Sequence, residues 1–100
     1  LATLVLSVLA RGEAHGYEVL RRIEKAGSGA LELKEGTLYP ALYRLEQAGL
    51  ITARWESSKE TRRGPRRRIY RLTTKGKAEL DRSRASWRNF VSVLDRIVEA

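Results

Sequence analysis

The chain has no cysteine and no methionine among its 100 residues, and only two prolines. Without cysteine it can form neither a disulfide nor a thiolate metal site. Without methionine the native start residue is missing, so Leu1 is read as close to the true N-terminus but not at it. There is one histidine, His15, placed just before a predicted helix, where it can cap that helix or touch a phosphate. A lone imidazole is too few ligands for a metal site. No serine stands in a nucleophile motif, and no glycine-rich phosphate loop occurs. The carboxylates are scattered on helical surfaces or paired with basic side chains. Neither an enzyme nor a cofactor is expected. Long apolar runs are also lacking. The opening LATLVLSVLA has the length of a signal-peptide core, but no basic segment precedes it in the sequence. It falls well short of the ~20 apolar residues a membrane span needs. A buried helix in a cytoplasmic protein is the better reading.

What is present is positive charge, unevenly placed. The formal net charge is +8 and the pI about 10.4. Residues 1–50 carry six basic and six acidic side chains, whereas residues 51–75 carry nine and two, net +7. The last quarter is close to balanced, at +1. A solubility device would be spread along the chain; charge confined to one segment suits a polyanion.

The periodicity gives four helices and a hairpin. The first helix, up to about Arg11, is apolar on most sides, and RGEAHG interrupts it. In the second, residues 16–26, Val19, Leu20, Ile23 and Ala26 form a stripe, with Glu18, Arg21, Arg22 and Lys25 outward and Glu18–Arg22 a favourable i,i+4 pair. ALELKE alternates, with Leu31 and Leu33 inward, as a short extended segment. In EGTLYPALYRLEQAGLI, Pro40 belongs in a first turn, so a third helix starts near Thr37, capped by it, and closes at Gly49. Leu38, Leu42 and Leu45 share its inner face. ITARWES (51–57) and RRIYRLT (67–73) alternate around Gly64 and Pro65 and read as a hairpin. A last helix covers about 75–99. The fold class is mainly α with a small β-hairpin wing: a winged helix-turn-helix followed by a long C-terminal helix. It divides into a DNA-binding unit, 1–74, and a dimerisation helix, 75–100.

Three stretches, HGYEVLRRIE, GTLYPALYRLEQAGLI and RRGPRRRIYRLTTKG, resemble the PadR family of bacterial transcriptional regulators, and the likeness covers essentially the whole chain. The single final helix is similar to the family's shorter subfamily. The resemblance implies a homodimeric repressor on palindromic double-stranded DNA, released in some members by a small molecule.

A recognition helix presents its N-terminal residues to the major groove. Here these are Thr37, Tyr39, Pro40, Tyr43 and Arg44, with Gln47 a turn further on. Hydroxyls bond phosphates or base edges, arginine suits guanine, and Pro40 or Tyr39 can touch a thymine methyl. The plain alternative is an amphipathic surface helix with tyrosines packed at its edge. At the wing, the loop-tip residues Arg62, Arg63, Arg66 and Arg67 are the expected phosphate or minor-groove contacts, while Arg68 and Arg71 serve solubility or pair with Glu56. In the final helix Leu80, Trp87, Val91, Leu94 and Val98 make an apolar stripe that Phe90 and Ile97 widen. Some 25 helical residues span roughly 37 Å, more than so small a domain covers alone. These residues, with Leu4 of the first helix, are the expected dimer interface. Trp87 and Phe90 either line an aromatic effector pocket at its centre or fill it. The competing function is a winged helix for protein interaction or DNA architecture, binding nucleic acid without sequence preference.

Overall fold

The computed structural model describes residues 1–57 and 64–99. Helix α1 (Ala2–Leu9) buries Val5, Leu6, Val8 and Leu9, which occupy more than one face, as its all-round apolar sequence requires. The chain then turns at Gly12, whose φ of 151° suits glycine, into a two-residue strand, β1 (Ala14–His15). This strand is absent from the sequence reading, because two residues are too few to show alternation. It pairs antiparallel with β3 (Arg68–Leu72), which also pairs with β2 (Ile51–Trp55), giving the order β1-β3-β2. The register sets Ala14 against Tyr70, and Ile51 against Leu72. The expected hairpin is therefore present and is tied to the start of the second helix.

Helix α2 (Gly16–Ala26) begins at His15, whose imidazole accepts a hydrogen bond from the Glu18 N–H. The expected Glu18–Arg22 pair forms at 2.6 Å. Ala26, expected in the buried stripe, is exposed. Beyond it, ALELKE is not a strand: Leu31 is exposed and only Leu33 packs on the core. Among the described residues the segment has no ladder partner to reward its alternation.

Helix α3 (Glu35–Gln47) starts two residues before the expected position, with Lys34 and not Thr37 at its N-cap. The Thr37 and Leu38 N–H groups both bond to the Lys34 carbonyl, so the first turn closes on the backbone and needs no side-chain cap. Pro40 then lies inside the helix, where it forfeits the bond its N–H would have made to the Gly36 carbonyl. The other end follows expectation. Gly49 takes φ 76°, and the Leu50 and Gly49 N–H groups bond back to the carbonyls of Leu45 and Glu46, the Schellman pattern.

Helix α4 (Thr74–Val98) is capped by Thr73, whose hydroxyl oxygen accepts from the Gly76 N–H at 3.0 Å and whose O–H donates to the Gly49 carbonyl at 2.7 Å. Lys75 Nζ donates to the Ala48 carbonyl, so the end of α3 and the start of α4 are stapled together. Gly76 passes so close to β2 that a Cβ there would overlap the Leu50 carbonyl oxygen.

The core joins Val5, Leu6, Val19, Leu38, Leu42, Ile51 and Leu80, each at most 2% exposed. Leu80 is thus a correction: expected at a dimer interface, it is the anchor of α4 in the protomer's own core. After Leu80 the helix leaves the body, and the molecule measures 58 × 29 × 21 Å. No helix among the described residues is long and apolar enough to cross a membrane.

Candidate nucleic-acid interface

Helix α3 separates two sets of side chains. Leu38, Ala41, Leu42 and Leu45 are buried. Thr37, Tyr39, Pro40, Tyr43, Arg44 and Gln47 are all exposed, Tyr43 to 64%. The structure brings every residue expected of the reading face onto one open surface. Tyr39 is the most constrained of them. Its ring lies over Gly16, with Cε1 only 2.7 Å from where a Cβ would stand. Glycine at the first position of α2 is what lets the tyrosine settle there.

The wing joins this face through Arg68. Its guanidinium donates to Glu46 of α3 at 2.7 Å and sits 5.4 Å from the centre of the Trp55 ring. Three elements meet in that contact, α3, β2 and β3, which ties the wing to the open face of α3. The pairing of Arg68 or Arg71 with Glu56 is corrected accordingly: Glu56 pairs with Arg67. Glu56 is 6% exposed and holds Arg67 Nε at 3.2 Å, while its backbone N–H donates to the Arg67 carbonyl. Arg67 is therefore at the base of the wing and already engaged, not at a free loop tip. Arg66 is exposed. Arg62 and Arg63 lie outside the described residues. On the same face of β3 as Arg68, burial pushes the Tyr70 phenol up, an effect that Arg68 opposes.

A second cationic surface went unassigned in the sequence reading. On α2, Arg21 lies 5.9 Å from the centre of the Tyr17 ring, and both border a cavity of about 460 Å³ with His15, Arg22, Lys25 and Arg67. The signal that could have found it is the Tyr17–Arg21 spacing of four, immediately after the His15 cap.

The distal part of α4 is open along its apolar side. Trp87 is 62% exposed and Ile97 69%, and Phe90, Leu94 and Val98 are exposed as well, with Val91 half-buried. Trp87 and Phe90 stack at a tilt, their centroids 5.8 Å apart. They border an open groove of about 970 Å³ that also touches Leu4, Ser7 and Glu79. Leu4 is 39% exposed beside them.

Solved structures share this fold. A transcriptional regulator of Clostridium thermocellum superposes with a TM-score of 0.85 at 30% identity, over 98% of this chain and 92% of the other. A PadR family regulator of Clostridium difficile gives 0.82 at 32%, over 97% and 96%. Bacillus subtilis PadR, solved in complex with operator DNA, gives 0.69 at 28% identity, over 80% of this chain and 44% of that one. The model of the transcriptional regulator PadR-like family matches residues 5–82, and the chain belongs to that family, one of regulators and not of enzymes.

Proposed function

We propose that the chain is a sequence-specific DNA-binding regulator, acting as a homodimeric repressor on an inverted-repeat operator. One observation carries this reading: the exposed Thr37, Tyr39, Pro40, Tyr43 and Arg44 face stands beside a cationic wing and is tied to it by Arg68. Helix α3 reads base edges, while Arg66 and the Tyr17–Arg21 surface bind phosphates. The likeness to a PadR protein solved in complex with operator DNA supports DNA binding. Residues 1–74 act as the DNA-binding unit and residues 75–100 as the assembly helix, whose exposed stripe pairs with a second copy. The Trp87–Phe90 groove is the place for a small-molecule effector, and such a regulator works in the cytoplasm, where its operator is. DNA selected from a random pool by the purified protein tests the reading. The expected product is an inverted repeat with half-sites about one helical turn apart, or a multiple of that. A winged helix serving architecture alone would recover no motif, with steep salt dependence and little discrimination.

A further inference from the structure

His15 stands where α2, the sheet and the wing meet, its side chain only 16% exposed. Its Nδ1 accepts from the Glu18 N–H at 3.1 Å. Its Nε2 lies 2.8 Å from Nη1 of Arg67 and 3.8 Å from Oε2 of Glu18. A guanidinium has donors only, so both ring nitrogens face a donor. A neutral imidazole has a single accepting nitrogen and can serve the helix or the arginine, not both at once.

We propose that His15 is a positioning residue for Arg67, and that its tautomer decides whether Arg67 is retained at the base of the wing or released to DNA. With the proton on Nδ1, Nε2 accepts from Arg67, which stays beside Glu56 while the α2 cap is lost. With the proton on Nε2, Nδ1 caps α2, the Nε2–H turns to the Glu18 carboxylate, and Arg67, still beside Glu56 but without its imidazole acceptor, can turn to a phosphate. A phosphate that draws Arg67 away therefore favours the capping tautomer, and the cap and DNA binding support each other. Protonation also releases Arg67, there at the expense of the α2 cap, since an imidazolium has no acceptor on either nitrogen and repels the guanidinium. Among the described residues, the charged and titratable groups around the ring are Glu18, Tyr17, Arg21, Arg22 and Lys25 from α2 and Arg67 from the wing, with Glu56 on the far side of Arg67. Glu18 is shared with Arg22 at 2.6 Å, so it does not cancel the repulsion between an imidazolium and Arg67. This inference rests on the DNA-binding reading above for its consequence, but not for its first test.

That test is nitrogen-15 NMR of the free protein, in which the one histidine gives an unambiguous tautomer signature. The wild-type ring is expected to average between the two tautomers, and Arg67→Ala to move it fully to the capping form. A wild-type ring already in the capping form, and unchanged by Arg67→Ala, overturns the proposal. The second arm is affinity for the selected operator between about pH 5 and 8, where histidine titrates. Wild type should bind about two- to fivefold more tightly at the acid end, the scale of one ionic contact. His15→Asn keeps a good N-cap and should show no such rise, and neither should Arg67→Ala. If Arg67→Ala retains the full rise, His15 touches the phosphate itself and the positioning role is lost. Failure of every form to bind DNA defeats the functional reading, while the tautomer shift still decides the link between His15 and Arg67.

Discussion

Arg66 and Arg67 are neighbours in sequence with different duties, and the difference is set by Glu56. Arg67 lies between that buried carboxylate and His15, while Arg66 is exposed. Arg66→Ala should therefore weaken binding to all DNA sequences alike and lower the salt slope by about 1, as titrations at several salt concentrations will show. Tyr70 leads to a prediction about stability. Its folded-state pKa is raised, chiefly by burial, so the neutral phenol is favoured by folding. That contribution is complete below the ordinary tyrosine range, near pH 10, and is lost as pH rises through the folded value. Tyr70→Phe should flatten this alkaline component of the unfolding curve, measured by thermal melts at increasing pH. An unchanged alkaline profile would mean the phenol is not the group responsible.

At the level of elements, close approaches decide what the sequence can tolerate. Gly76→Ala drives a methyl into the Leu50 carbonyl, a backbone atom that cannot step aside, and should cost about 1–3 kcal/mol or more in denaturant unfolding. Gly16→Ala meets only the far end of the Tyr39 ring, which can swing away. It should leave stability nearly intact and reduce operator discrimination, because the displaced ring belongs to the reading face. Equal discrimination by this variant and wild type would remove Tyr39 from that face. The helices and the hairpin were legible because their apolar periods are long, and α3 also closes on a glycine signal at Gly49. The open face of α3 was legible for the same reason: with Leu38, Leu42 and Leu45 inward, the remainder had to point out. Other features were not, the exposure of Ala26 and Leu31 and the Tyr17–Arg21 surface among them. β1 is too short to have a period, and the start of α3 rests on backbone bonds to Lys34 that no side chain announces. Leu80 fits the apolar stripe of α4 equally well whether its partner is the same chain or another. The choice of Glu56 between Arg67 and Arg68 depends on which strand face each arginine occupies, and that is settled only by the register of Trp55 against Arg68.

For the whole molecule, the long axis of 58 Å and the exposed apolar run from Trp87 to Val98 are the observations behind the proposed pairing of two copies. A chain ending after Lys77 would also lose Leu80, which should cost about 2–5 kcal/mol in the protomer itself. A charge placed at Trp87 or Ile97 separates assembly from folding more cleanly. Ile97→Glu should yield a folded monomer by light scattering and circular dichroism, with operator affinity lower by about 10²–10⁴ through loss of linkage between half-sites. The central claim is narrower: the exposed face of α3 reads sequence and the wing does not. Its most direct measurement is the ratio of affinities for the selected operator and for random DNA, taken at one salt concentration for wild type, Tyr43→Ala, Arg44→Ala and Arg66→Ala. The account predicts that the two α3 variants lower the ratio sharply, while Arg66→Ala weakens both affinities and preserves it. A ratio that collapses in Arg66→Ala and survives in both α3 variants would contradict it.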